Sequence, residues 1–556
     1  MNRKWRALLV SLAALSGLIV LLASASLYVA QTSWFKEQIR SRIVSTVERA
    51  SGGRVELKSL HYDWRSLTAE FQGFVLHGSE PAGAPPLFQA ERIRIGFRIV
   101  SLLRSNIDLG SIVIDSPRAY VLVRPDGSTN IPTPRLRDFR GRTMPQELID
   151  LGVRRFQINH GIVQLNAKTI SLDLSGEDLR TGLQYVPAQS LYRGTLSSRN
   201  LHVVSGWTQP FTADVRTSFL LGGDHAEIQN LALAAGRSKL EATATVHHLA
   251  SPSGQFQLRA DVDASEAARL LGVSGVRSGD VQVAGAGTFD SNNYSFTGTA
   301  NGRDLAYRKG RFAIARAGLH SDVSLTANGL FFKKLVVNAL GAKLSGEAEL
   351  ARFQRLRFTG RVEGLAVREA ARLLANRPLP WSGALSGPVE VQSSISSPLR
   401  DLKFTMAARI SPGKNGVPIS GSIPFSYDQR ARAIRLGDSH ILLPHSTLAV
   451  SGTPGRSLAV VFDTSDLNEW KPALDLISDS GMKIPTPVSL LGGEASFKGT
   501  VTGPLQTPAI AGVFHASKVR YQHVLLDTFR ANVRADQNSL SFTDFSASQA
   551  SLHATA

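Results

Sequence analysis

The chain has 556 residues, enough for three or four domains of ordinary size or for one long repetitive structure. Its 43 % hydrophobic and 19 % charged residues are ordinary globular values, which excludes wholesale disorder, and the absence of cysteine excludes disulfide scaffolds, cysteine nucleophiles and thiolate metal sites. A formal net charge of +18 leaves nucleic acid or an anionic membrane as the partner, and no cluster of basic residues interleaved with aromatics makes a nucleic-acid groove, so the membrane is favoured.

Arg3, Lys4 and Arg6 precede a stretch without charge that lasts until Lys36. Its apolar heart runs from Ala7 to Ala30, roughly 36 Å as a helix at about 1.5 Å per residue, long enough to cross a bilayer with some tilt. A cleaved signal peptide is the alternative, with Ala23-Ser24-Ala25 as a passable cleavage site. The leading basic residues favour a cytoplasmic N-terminus, although Lys36, Arg40 and Arg42 follow the span. Residues 1–31 are therefore expected to be a cytoplasmic tail and transmembrane helix, with everything after them exported.

Residues 32–53 read as a membrane-proximal amphipathic helix. Phe35, Ile39, Ile43 and Val47 recur every four residues from Trp34 to Arg49, and Gly52-Gly53 stops the pattern. Such a helix packs on the next domain or lies on the outer leaflet with Trp34 at the headgroups, and the two arrangements are compatible.

From Val55 onward short alternating runs are separated by Gly, Asn, Asp, Ser and Pro, the mark of strands with one apolar and one polar face. No βαβ rhythm is present, which argues against a parallel α/β enzyme fold. At roughly 12 residues per strand and turn, about 40 strands are expected. The alternation also sorts side chains. Ile93, Ile95, Phe97, Val281, Val283, Leu356, Phe358, Val389, Val391, Leu402, Phe404, Ile434, Leu436, Phe497 and Val501 should line one concave apolar surface. Their neighbours Arg94, Gln282, Arg357, Glu390 and Lys403 should face water.

Self-comparison gives a period. EAARLL stands at Glu266–Leu271 and again at Glu369–Leu374, and Lys239-Leu240 matches Lys343-Leu344 at a spacing of 104. Arg199-Asn-Leu201 and Tyr192-Arg-Gly194-Thr195 match Arg303-Asp-Leu305 and Phe296-Thr-Gly298-Thr299 at the same spacing. The strand through Leu240 recurs through Leu344, Leu448 and Leu552. Each copy should hold several antiparallel strands and one short helix, near Ala264–Leu271, Val367–Leu374 and Leu467–Ile477. The fourth copy breaks off inside a strand, so the chain is expected to be the N-terminal piece of a longer protein. The fold class expected is mainly β: a transmembrane helix, then a long curled antiparallel sheet built from repeats of about 104 residues with short interspersed helices.

No P-loop, nucleophile elbow or His-Glu-x-x-His helix occurs. His247-His248 would point to opposite faces of a strand, which argues against a shared metal. Arg135, Arg137, Arg140 and Arg142 form a solvated loop beside Pro132 and Pro134, or a site for lipid phosphates. No cofactor, metal site or enzyme activity is expected.

Three stretches carry a resemblance. The first is the span with its following helix and Ser51-Gly-Gly53-Arg-Val-Glu. The second is Ser101-Leu-Leu103, then Ile112 to Ser116, Pro117-Arg-Ala-Tyr120-Val-Leu-Val123-Arg, and Asp126-Gly127-Ser128-Thr-Asn130-Ile-Pro132. The third is Phe156-Gln-Ile158-Asn159-His160-Gly161-Ile162-Val163, with Gly499-Thr-Val501-Thr-Gly503-Pro504-Leu505 later as a recurring hairpin. Together they resemble the AsmA-like superfamily, and within it the TamB-type translocation and assembly module proteins. The likeness is concentrated in residues 1–165, with the N-terminal β region at 54–165 and the repeated region at 166–556. It implies an inner-membrane-anchored, single-pass bacterial protein with its bulk in the periplasm, whose β-groove conducts phospholipids toward the outer membrane. It also implies an outer-membrane barrel partner, though the family's C-terminal domain has no counterpart before Ala556. An assembly factor that pairs a sheet edge with client strands, and a passive envelope spacer, are the competing functions.

Overall fold

Past residue 53 the alternating runs become strands nearly everywhere. The computed structural model describes residues 32–97, 109–132, 153–168, 171–375, 380–395, 400–470 and 488–555, apart from a few isolated positions within these ranges. Strands make up 71 % of them, so the fold is mainly β. They number 31 among the described residues, and many run well beyond ten residues. The expected transmembrane span and the Arg135–Arg142 run lie outside the described residues, among which no helix is long and apolar enough to cross a membrane. By contacts the chain divides into two units, the first running to Leu258 and the second holding nearly everything from Asn292 onward, with the segments between shared.

The first unit opens with helix α1 (Ser33–Ser51). It stops at Gly52, whose positive φ of 81° lets its N–H reach the Glu48 carbonyl at 2.8 Å. The Glu48 carboxylate accepts from the Val55 N–H at 3.0 Å, which ties the helix end to the first strand. Strands β1 (Arg54–Asp63), β2 (Thr68–His77), β3 (Phe88–Phe97) and β4 (Leu109–Asp115) pair antiparallel in sequence. β5 (Arg118–Val123) follows, and β6 (Arg155–Ala167) runs parallel to β4 and then to β5. This corrects a uniformly antiparallel expectation. The connection from 124 to 154 is long enough for a parallel return, which needs a dozen or more residues. Asn130 is fully buried there. Its side-chain carbonyl accepts from Leu122 N–H at 2.9 Å and its amide donates to the Tyr120 carbonyl at 2.8 Å. β7 (Leu172–Val186), β8 (Leu191–Ser205), β9 (Phe211–Leu221), β10 (His225–Ala235) and β11 (Ser238–His247) continue as antiparallel neighbours.

β12 (Ser253–Asp263), helix α2 (Ala264–Leu270) and β13 (Val276–Phe289) lie around the division. The second unit carries β14 (Tyr294–Lys309), β15 (Phe312–Thr326), β16 (Gly329–Ala339), β17 (Ala342–Ala351), β18 (Arg355–Ala366), helix α3 (Val367–Ala375) and β19 (Trp381–Ser394). It continues through β20 (Lys403–Pro412), β21 (Val417–Pro418), β22 (Ser420–Asp428), β23 (Ala433–Leu443), β24 (Ser446–Thr453), β25 (Ser457–Thr464) and a 3-10 turn at Leu467–Trp470. β26 (Val488–Leu490), β27 (Ala495–Thr502), β28 (Ala509–Tyr521), β29 (Val524–Ala535), β30 (Leu540–Gln549) and β31 (Leu552–Thr555) complete it. Of the third expected helix only the 3-10 turn is described. β10, β16 and β23 start at His225, Gly329 and Ala433, each 104 residues after the last. β11, β17 and β24 start at Ser238, Ala342 and Ser446, again 104 apart. Leu240, Leu344 and Leu448 lie on these three strands.

Bulges recur mid-strand across the second unit. The register shifts between Gly302 and Leu305, His320 and Asp322, Phe332 and Leu335, Val362 and Leu365, Ser422 and Phe425, and Leu436 and Ser439. Asp304, Lys334 and Gly364 take the left-handed conformation at three of them, with φ of 49°, 49° and 76°. A bulge bends its strand, so bulges at neighbouring positions bend a sheet along a line.

Candidate functional site: an uncharged face across the strands

Side chains directly opposite in a ladder share a face, so pairing registers can be followed across strands. One row in the second unit runs Leu335, Gly346, Gly360, Val389, Met406, Phe425, Leu436, Gly452, Leu458, Val501, Ile510, Ala535, Leu540. It crosses from β16 to β30 without an acidic or basic side chain. A second row beside it runs Gly298, Val323, Phe332, Ala348, Phe358, Val391, Phe404, Tyr427, Ile434. A third, on the other flank, runs Leu385, Ile410, Gly421, Ile441, Leu448, Phe462, Phe497, Phe514, Ala531. One residue out of phase the chemistry inverts. Glu347, Thr359, Glu390, Thr405, Ser426 and Arg435 form a row on the opposite face.

These rows bring together Leu356, Phe358, Val389, Val391, Phe404, Ile434, Leu436, Phe497 and Val501 on one face, and Leu344 and Leu448 share it. Leu356 and Ile434 remain 39 % and 44 % exposed there, whereas Val389 is buried. Val281 and Val283 are half-buried on β13 and alternate with Gly285. A Cβ built on Gly285 would lie 2.8 Å from the ring tip of Phe296, which extends the face to that strand. Leu402 is half-buried one residue before β20. Arg357, Lys403 and Arg94 point to solvent, Arg357 pairing with Glu390 at 2.8 Å and Arg94 with Asp115 at 3.0 Å, while Gln282 is half-buried.

Ile93, Ile95 and Phe97 belong to the first unit and are placed differently. They pack against the buried cluster of Leu57, Ala69 and Phe71, together with Ile43 and Val44 of α1. Ile43 thus faces the sheet, Val47 is half-buried, and the side chains of Trp34, Phe35 and Ile39 lie outside the described residues. Here the helix and these three half-buried apolar residues pack against the same cluster.

The face of the second unit is covered unevenly. Its third row is closed by the protein's own side chains. Trp470 meets Phe462 edge-on at 5.8 Å and Trp381 at 5.3 Å, above a cluster of Val367, Trp381, Ile410, Ile419 and Leu443. The 3-10 turn is held down by Glu469, whose carboxylate accepts from the Ser446 hydroxyl at 2.7 Å and the His445 N–H at 3.1 Å. The Trp381 indole donates to the Glu469 carbonyl at 3.3 Å. The first row is not closed in this way: Met406, Phe425, Leu436, Leu458, Val501 and Ile510 are half-buried and Leu540 is exposed. A cavity of about 650 Å³ lies over the same strands on the opposite face, between Glu390, Thr405, Ser426 and Arg435 on one side and Pro388, Ala407, Pro424 and Gly437 on the other. Met406 and Phe425 were not singled out in the sequence. Met406 continues the alternation of Leu402 and Phe404, whereas Phe425 sits in a run of half-buried residues, Ser420–Asp428, whose pattern carries no period.

Among the described residues no three His, Asp or Glu side chains come together to hold a metal ion. His247 and His248 are both exposed, where β11 ends. Compared with known proteins, the chain matches no family model, no curated protein and no solved structure.

Proposed function

We propose that the chain is a non-catalytic envelope protein of the AsmA-like, TamB-type kind. On this reading residues 1–31 anchor it in the inner membrane, four copies of a unit of about 104 residues build a periplasmic groove, and the uncharged face of the second unit conducts phospholipids toward the outer membrane. The observation that carries it is the row from Leu335 to Leu540, which passes through thirteen strands without a charge and is half-buried along most of its length. The energetics give such a face its use. Moving an acyl chain into water costs about 0.8 kcal/mol per CH2, so a long chain meets a barrier above ~10 kcal/mol. An apolar path removes most of it while the headgroup stays wet, and no catalytic group is needed. A passive spacer would fill its whole interior with its own side chains, as the third row does and the first does not.

The test is Phe358→Asp and Val391→Asp, with protein level and lipid photo-crosslinking measured together in cells. A carboxylate on the second row interrupts the path at a cost of several kcal/mol, and both residues are only half-buried. Normal abundance with lost crosslinking is expected. Normal abundance with unchanged lipid traffic rejects the conduit. Loss of the protein itself would make these residues packed core and favour the spacer.

A further inference from the structure

We propose that the hairpin turns at one end of strands β17 to β25 form a ledge that docks edge-on against an anionic phospholipid surface, a membrane contact separate from the anchor at residues 1–31 and independent of the conduit. Three turns, 352–354, 429–432 and 454–456, and the paired ends of β19 and β20 between the first two make the line. Neighbouring members lie two strands apart, so three steps of about 9.6 Å give a length of roughly 29 Å. Backbone bonds hold them in place. Ile395 N–H donates to the Gln354 carbonyl at 2.8 Å, and Gln429 N–H to the Leu402 carbonyl at 3.0 Å.

The charge on this line is one-sided. Arg352, Arg355, Arg400, Arg430, Arg432 and Arg456 are all exposed along it. Of the acids there, Asp401 is taken by Arg430 at 2.7 Å and Asp428 by Lys403 at 3.5 Å. Among the described residues no acid pairs with Arg352, Arg355, Arg432 or Arg456. The flanking turns at 326–329 and 503–508 carry no charge, so the basic stretch has two ends. At the other ends of the same strands charges of both signs meet, Arg372 pairing with Glu369 in α3 at 2.8 Å and Glu469 lying against His445.

Apolar side chains stand among the arginines. Phe353 is 41 % and Ile395 53 % exposed, on adjoining turns. Arg352 and Phe353 take φ of 51° and 54°, the left-handed pair that suits Asn-Gly and that an exposed phenylalanine occupies at a cost. Cations for headgroup phosphates, with apolar tips for the acyl boundary, are what an anionic bilayer surface accepts. A protein partner would call for a packed apolar centre ringed by charge, whereas here the two apolar tips stand near one end of an open line.

The test uses the full chain in nanodiscs of phosphatidylcholine, so that residues 1–31 are already accommodated, floated with preformed vesicles. Flotation is expected with vesicles containing one-third phosphatidylglycerol, and not with pure phosphatidylcholine. An arginine beside such a surface is worth roughly fivefold in affinity, so Arg352→Gln, Arg432→Gln and Arg456→Gln together should weaken binding more than tenfold. Removing the same charge at the opposite strand ends, with Arg308→Gln, Lys309→Gln and Lys343→Gln, should leave it unchanged. Phe353→Asn suits the left-handed turn better, so vesicle binding should fall severalfold while thermal stability holds or rises. Equal losses from the two triple variants would mean diffuse attraction by net charge and overturn the ledge. Retention on polyglutamate without flotation would assign the arginines to an acidic protein and overturn the membrane contact.

Discussion

Ser198, Ser321 and Ser439 are buried hydroxyls set where pairing slips by a residue, and each donates to a carbonyl at the bulge. Ser198 donates to Glu177 O at 3.1 Å and Ser439 to Gly437 O at 2.9 Å. Ser321 is fully buried and reaches both Asp322 O at 3.0 Å and Lys333 O at 2.9 Å. One hydroxyl proton serves one of them at a time. Ser321→Ala leaves buried carbonyls without a donor and should cost about 1–3 kcal/mol, read as faster hydrogen exchange along β15 and β16. An unchanged exchange rate would mean that water satisfies the site. A second residue-scale effect is acid sensitivity. The Asn159 amide hydrogen bond, with Arg94 beside it, holds the Asp115 carboxyl below the ordinary carboxylate range, against a smaller opposing effect of burial. A depressed folded pKa contributes stability above the unfolded value of about 3.9 and loses it as pH falls through the folded one. Wild-type protein should therefore soften on acidification below about pH 4, and Asn159→Leu should show a shallower acid dependence in thermal scans from pH 6 to 3.

At the scale of elements, turns and bulges decide what alternation alone leaves open. The β16–β17 hairpin turns through Leu340 and Gly341 with φ of 55° and 73°, and closes on the pair Ala339 and Ala342. Two positive φ values mark a turn that favours Asn-Gly, and leucine in the left-handed region costs roughly 1–2 kcal/mol. Leu340→Asn should strengthen the hairpin by about 1 kcal/mol, seen as slower exchange of its amides; a weaker hairpin would show that Leu340 contributes more through packing than it costs in backbone strain. Much of this level was legible in the sequence. Phe358 and Val391, like Leu436 and Val501, were separable from their neighbours because period two survives wherever one face is wet. The start of α3 at Val367 was marked by the switch to a helical period. What was not legible depends on partners distant in the chain. The parallel seat of β6 follows from a long return, bulge positions are a property of two strands together, and the closure of the third row needs Trp470 to meet Trp381 across 89 residues of chain. Ile93, Ile95 and Phe97 alternate as well as any strand, yet they pack against the same Leu57, Ala69 and Phe71 cluster as Ile43 and Val44 of α1, and nothing in a local pattern says which stripe will share its packing with a helix.

For the molecule as a whole, the two units share a strand grammar and differ in how their apolar faces are covered. In the first, α1 lies on the strands through Ile43 and Val44; in the second, much of the first two rows is only half-buried, and Leu540 and Ile434 are exposed. The basic excess of +18 resides on the other side chains, since the three rows carry none of it. Anchoring is the prediction at this scale. A reporter fused after about residue 60 should be active only outside the cytoplasm, and the mature protein should retain Met1 to Ala30. A mature N-terminus near Ser26 or Gln31 would show instead that the leader is cleaved.

Because the rows run across the strands, their reach depends on how many strands there are and not on how long each one is. Adding or removing one hairpin changes the path by about 9.6 Å, two spacings of roughly 4.8 Å, and the even count leaves every later side chain on its original face. Loss of a single strand would instead reverse the chain's direction past that point. Duplication of whole hairpins is therefore a ruler with fixed graduations: such a face can be matched to gaps of different width by copying units, with no new solution needed for its floor.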